Sequence, residues 1–174
     1  MIQDSYKKAI AYVGKKYVND KVSCIDANYL TYLSTITMEI FVAFNKEPNF
    51  NLEIAIQTAL LHDILDNTKT NFNDLKEQFG THIATTVLAI TKDKTIINKE
   101  DSIKNNLKRI NATFKEATVV KLAELITKLD TKNCDIQKFN EIINESKYFL
   151  ENLKNKNYFL ENRLKELIEK NKEF

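Results

Sequence analysis

Apolar positions recur at intervals of three and four along nearly the whole chain, the period of an amphipathic helix, and the breaks between periodic stretches are short. Residues from about 3 to 18 predict a first helix, closed by the polar loop Asn19, Asp20 and Lys21. A second runs from about 28 to 44 with Asp26 as its N-terminal cap, and Pro48 and Asn49 then break the chain. From Asn51 a third helix carries Leu52, Ala55, Ile56, Ala59 and Leu60, and turns polar only at its C-terminal end, at His62, Asp63 and Asp66. The segment from Thr70 to Phe79 closes on Gly80, a residue suited to a left-handed helix end, and Thr81 opens another helix with Ile83, Val87, Leu88 and Ile90. Residues 92–100 are polar and read as a mobile loop. Helices follow at about 101–113 and 115–131, the latter packing through Val119, Val120, Leu122, Ala123, Ile126 and Leu129.

The tail, 135–172, is helical again and predicts a C-terminal extension packed on a single domain of residues 1–174. Within it Leu150, Leu153, Asn157, Leu160, Leu164 and Leu167 follow a heptad spacing, with Asn157 at one core position. The seam covers less than three heptads, which favours packing on its own domain and leaves a homodimer through the C-terminal helices as the alternative. Tyr148-Phe149-Leu150-Glu151-Asn152 recurs at Tyr158-Phe159-Leu160-Glu161-Asn162. A ten-residue shift turns a helix by about 280°, so the copies face different ways.

Composition sharpens the picture. Two glycines, Gly14 and Gly80, and one proline cannot supply the positive-φ turns of a many-stranded sheet, a Walker-type loop or a dinucleotide-binding loop. With 43% hydrophobic and 29% charged residues the chain is neither disordered nor membrane-like, and an all-α fold is expected. The net charge of +2 offers no global field for DNA, and only Arg109 and Arg163 carry a bidentate fork. Cys24 and Cys134 stand far apart and fit two reduced thiols in a cytoplasmic protein, with neither a zinc site nor a disulfide scaffold. No stretch approaches a membrane span, and no membrane partner is expected.

Chemistry concentrates at the end of the third helix. His62 and His82 are the two histidines, and His62 stands beside Asp63, with Asp66 and Asn67 one turn on. An imidazole beside carboxylates suits manganese, iron or magnesium. His-Asp alone also reads as a helix end stabilised by a cationic histidine and surface acids. Likewise Glu124 reads as an acid paired with Lys121 or Lys128 at helical spacing, Tyr32 as a packing residue and His82 as a solvent-facing residue of a first turn.

The wider context is Ala59-Leu60-Leu61-His62-Asp63-Ile64-Leu65-Asp66-Asn67-Thr68, then Phe79-Gly80, Thr91-Lys92 and Val120-Lys121-Leu122-Ala123-Glu124-Leu125. This ordered set resembles the hydrolase domain of RelA/SpoT homologues, in the HD phosphohydrolase superfamily, over about residues 6–131. The resemblance implies an HD-domain-like helical bundle of about seven to nine helices that uses manganese to remove the 3′-pyrophosphate of a guanine nucleotide, guanosine tetraphosphate or pentaphosphate. It implies His62, Asp63 and Glu124 as metal ligands, with Tyr32 at the position of the family's remaining histidine ligand. Asp66 and Asn67 fall at the catalytic Glu-Asp pair, and Asn67 cannot exchange a proton. Lys21, Lys128 and Thr131 fall at substrate-binding positions, Lys128 in place of an Asn. These departures imply an altered phosphohydrolase, a nucleotide-binding or regulatory module without turnover, or a helical interaction module.

Overall fold

A computed structural model describes residues 1–22, 27–131 and 135–171. Cys24, Cys134 and the Asp26 cap lie outside the described residues. Those residues form helices α1 (Ile2–Asn19), α2 (Ala27–Lys46), α3 (Leu52–Leu61), the single turn α4 (Ile64–Asn67), α5 (Phe72–Ile90), α6 (Lys99–Asn111), α7 (Lys115–Thr131), α8 (Ile136–Asn152) and α9 (Tyr158–Lys170). The expected all-α class and the element order are what the structure has, with no strand among the described residues.

Two helices set the architecture. In α3, residues 55–61 are buried without interruption, and in α7 burial runs from Glu116 to Thr127. A helix apolar nearly all round must be enclosed on every side. Accordingly α3 packs against α1, α2, α5 and α7, and α7 against α2, α3, α5, α6, α8 and α9. One apolar cluster joins Ala9 and Val13 of α1 to Leu164 and Ile168 of α9. Polar ties fix the ends. The Asn51 side chain caps α3 by accepting from the Ile54 amide at 3.1 Å, while its own N–H donates to Glu116 at 2.7 Å. Asn71 and Asp74 form a reciprocal capping box at the start of α5. Arg163 of α9 forks onto Glu39 of α2 with three bonds of 2.8 to 3.0 Å.

Two sequence expectations shift. The third helix stops at Leu61, because Asp63 sits at φ −96°, ψ −1° and starts a separate turn. Gly80 does close one helical segment before Thr81 opens the next, as expected: its positive φ of 85° with ψ 165° is non-helical and splits α5 at a kink. The heptad seam is broken, since Asn157 is the buried N-cap of α9 and not a coiled-coil core residue. Its Oδ1 accepts from the Leu160 amide, and its Nδ2 donates to the Glu47 carbonyl 110 residues away. Leu153, Leu160, Leu164 and Leu167 spend their apolar surface inside this chain's own core. The two copies of the five-residue repeat end α8 and begin α9.

At Gly80 nothing lies within 4 Å of where a Cβ would stand, so only the backbone conformation opposes a side chain. Gly80→Ala is expected to cost about 1–3 kcal/mol, a fall of roughly 3–10 °C in Tm. A calorimetric Tm within a degree of wild type would contradict that assignment.

Candidate functional site

The abrupt end of α3 creates the site. His62 is the C-cap residue, 5% exposed, and its ring is held by one bond. Nδ1 lies 2.7 Å from the Ala59 carbonyl and donates to it, which leaves Nε2 facing Asp63 Oδ2 at 3.2 Å. Burial opposes a charged imidazole, but the Asp63 carboxylate, Glu124 and the Ala59 carbonyl outweigh it, and the His62 pKa is raised. Burial likewise pushes the Asp63 carboxyl up, and His62 more than offsets this, so it lies below the usual range.

Tyr32 reaches the same place from α2, its ring centre 5.8 Å from that of His62. The position that the family resemblance gives to a ligand thus lies beside His62. Burial first, then the charges of Glu124 and Asp63, hold its phenol well above the ordinary value, so at neutral pH it is a hydroxyl and a poor ligand for a hard cation. Its packing is also plain: Tyr32 continues an aromatic row through Tyr29 to Tyr17.

Glu124 enters from α7, buried and close enough for its charge to act on both His62 and Tyr32. Its carboxylate is engaged twice. Oε2 lies 3.3 Å from Lys121 Nζ, and Oε1 accepts from Lys128 Nζ one turn on. Burial raises the Glu124 pKa, but Lys121, Lys128 and His62 together bring it well below the carboxylate range. Lys121 is itself enclosed, bound to Glu145 at 3.0 Å and set 4.6 Å over the Phe149 ring. Sequence reasoning left Lys121 and Glu145 out of the site; the i,i+3 and i,i+4 spacing around Glu124 was the signal for the first, and Glu145 had none.

Asp66 and Asn67 follow on α4. Asp66 is paired with Lys94, whose Nζ lies 3.6 Å from its carboxylate and donates to its carbonyl at 2.6 Å. Partial burial and Asp63 nonetheless raise its pKa. Asn67 turns the other way and donates to Tyr17 Oη at 3.1 Å. Lys128 and Thr131 line a cleft of about 320 Å³ together with Lys92, Lys99, Lys138 and Glu145. Lys21 is exposed beyond the end of α1, outside the buried cluster, at φ 54°. His82 stacks on Phe114 and meets Glu116 at 3.3 Å, so it supplies no ligand beside His62.

Whether these residues fit a metal can be judged from their geometry. Neighbouring ligands about 2.1 Å from an octahedral centre are about 3 Å apart, and His62 Nε2 and Asp63 Oδ2 stand at 3.2 Å. That pair fits two positions of a hard divalent cation, and Glu124 has the right chemistry for a third. Among the described residues, however, no three His, Cys, Asp or Glu side chains are arranged to hold a metal ion, and Glu124 is instead held by lysines.

Relatives and solved structures agree with the fold. Over 119 residues the chain is 29% identical to the guanosine-3′,5′-bis(diphosphate) 3′-pyrophosphohydrolase MESH1 of Danio rerio, covering 65% of this chain and 66% of that protein. It is 39% identical over 75 residues to the enzyme of the same description from Aquifex aeolicus (strain VF5), covering 43% and 11%. A solved structure described as a metazoan ortholog of SpoT that hydrolyzes ppGpp superimposes with a TM-score of 0.75 at 19% identity, over 98% of this chain and 97% of that one. The chain has the fold of a SpoT-type hydrolase. A Listeria monocytogenes EGD-e structure has the same fold, with a TM-score of 0.65 at 15% identity over 83% of this chain and 97% of that one. The RelA/SpoT resemblance drawn from the motifs holds in both comparisons. No family model matches the chain. The chain spans less than two thirds of the length of the curated relatives it matches. No described helix of this SpoT-type fold is long and apolar enough to cross a membrane.

A raised His62 pKa stabilises the metal-free fold fully below about 6.5, and this contribution is lost as pH rises through the folded value. In chelator-treated protein the Cε1 proton of His62, followed by NMR, is expected to titrate above pH 6.5. A midpoint below that would contradict the Asp63 pairing.

Proposed function

We propose that this chain is an altered SpoT-type phosphohydrolase, acting on a nucleotide that carries a pyrophosphate group, of the guanosine tetraphosphate or pentaphosphate type. The observation that carries the reading is the convergence of His62 and Asp63 from the end of α3, Glu124 from α7 and Asp66 from α4, beside a cleft with four lysines. A polyphosphate is the ligand that such a cleft attracts. Lys92, Lys128 and Lys138 supply ammonium groups as point charges, and the Thr131 hydroxyl adds a donor.

His62, Asp63 and Glu124 are the residues that would hold manganese, which when bound supplies Lewis acidity toward a phosphoryl oxygen and activates water. The chain's own groups do the rest. Burial excludes bulk water from His62 and Glu124, which strengthens every charge interaction there. The raised pKa of Asp66 lets this carboxyl carry a proton closer to neutral pH than an ordinary aspartate, which suits it to deliver one to the leaving group. Asn67 can only position, and its bond to Tyr17 ties α4 to α1.

A second reading is favoured by one specific observation, the double engagement of Glu124 by Lys121 and Lys128. With that carboxylate neutralised, the cleft would bind the nucleotide without turning it over. Protein purified without chelator, incubated with guanosine tetraphosphate and excess manganese, is expected to release pyrophosphate, and His62→Ala to abolish both release and metal retention. Calorimetric heat with the nucleotide but no release assigns the second reading, and neither signal contradicts both. Tyr32→His is expected to tighten manganese binding by placing a second imidazole beside His62. Unchanged affinity would contradict the ligand position given to Tyr32.

A further inference from the structure

A second cleft, of about 370 Å³, adjoins the lysine cleft and runs between α6 and α8. The two open on either side of the same three residues, Lys99, Glu141 and Glu145. Their chemistry differs. The lysine cleft sets Lys92, Lys99, Lys128 and Lys138 against Glu141 and Glu145, and so attracts an anion. On the wall of the α6–α8 cleft each charge already has its opposite: Lys99 pairs with Glu141, Lys104 with Glu100 at 2.6 Å, and Glu145 with Lys121 at 3.0 Å. No charge is left there to recruit an ion. Ile103 and Tyr148, half-buried against the core, give the cleft apolar surface, and the exposed Asn144 amide adds a hydrogen-bond acceptor and two donors. Such a surface binds a neutral, flat group with a polar edge.

We propose that the α6–α8 cleft is a base subsite, in which Tyr148 stacks the purine of a nucleotide whose phosphates lie on Lys92, Lys128 and Lys138. The inference rests on the nucleotide-binding reading above and on no metal ion. Stacking on an aromatic ring tolerates any base, and a purine offers the larger face. The amide of Asn144 matches the mixed donors and acceptors of a base edge. Tyr148 opens the first copy of the repeated pentapeptide, and only this copy faces the lysines: its counterpart Tyr158, 68% exposed, lines a separate groove with Lys46 and Arg163.

The test is calorimetric titration in excess EDTA with two probes, guanosine diphosphate and inorganic pyrophosphate, with circular dichroism to confirm folding. Tyr148→Ala is expected to weaken guanosine diphosphate about five- to hundredfold and to spare pyrophosphate, whereas Tyr148→Phe keeps the affinity for both. Tyr158→Ala, on the separate groove, is expected to change neither. Equal losses for the two probes, or no loss, in folded Tyr148→Ala overturn the proposal. A parallel Lys138→Ala titration separates the two layers. Nucleotide binding that needs Lys138 but ignores Tyr148 sinks the base subsite alone, whereas a wild-type chain that binds neither probe sinks the phosphate cleft as well. Should Tyr148→Ala fail to fold, wild-type protein saturated with guanosine diphosphate replaces it. An intermolecular NOE between the base H8 and the Tyr148 ring protons is then expected, and its absence overturns the inference.

Discussion

A carboxylate buried in a helix that is enclosed on nearly every side is the constraint on which the rest of the site depends. Glu124 cannot sit in α7 uncompensated, because stripping the water from an ionised acid costs several kcal/mol unless opposite charge and hydrogen bonds replace it. Helical spacing supplies that charge: Lys121 is three residues before Glu124 and Lys128 four after, both on its face. Lys121 in turn needs Glu145 of α8, so a local rule on one helix recruits a second element. On the opposite side, α3 ends where its apolar run ends, and His62 and Asp63 are presented to the same pocket. Fold and site are thus one arrangement, with the two most enclosed helices meeting at charged ends.

The set of polar groups differs from the pattern of the RelA/SpoT homologues in a coordinated way. Where that pattern has a histidine ligand, Tyr32 brings a neutral phenol and extends the aromatic row of Tyr29 and Tyr17. The Tyr17 hydroxyl then occupies Asn67, which stands at a proton-transfer position but only donates a hydrogen bond. Lys128 brings an ammonium against Glu124. The three changes touch different partners: the first two put a neutral phenol and an amide where the pattern has ionisable side chains, and Lys128 puts a charge where it has an amide. His62 and Asp63 match that pattern, and Asp66 retains a carboxyl where it has a glutamate.

Much of the fold was legible in the sequence because helical periodicity is a local signal. Asn51 as the start of α3 and the limits of α7 follow from caps and apolar spacing alone. What was not legible depended on tertiary partners. The break at His62 and Asp63 carries neither Gly nor Pro and is followed at once by Ile64 and Leu65, so the polar pair reads as a helix face and not as a stop. Asn157 fits a heptad as well as a cap, and only its bonds to Leu160 and to the distant Glu47 carbonyl decide between them. In the site, His62, Asp63, Glu124 and Asp66 could be named from ordered motifs. A pairing of Glu124 with Lys121 or Lys128 followed from spacing, whereas its engagement by both, Glu145 and the cleft needed the packed structure.

The pairing of Glu124 with Lys128 is the interaction to measure first. A double-mutant cycle with Glu124→Gln and Lys128→Met, read as unfolding free energy at neutral pH, isolates their coupling from the effects of each side chain on its other neighbours. A favourable coupling above about 1 kcal/mol is expected for a pair in contact in a largely buried setting. Single-variant effects that add within about 0.5 kcal/mol would contradict it, and with it the account of how this chain keeps a carboxylate beside His62.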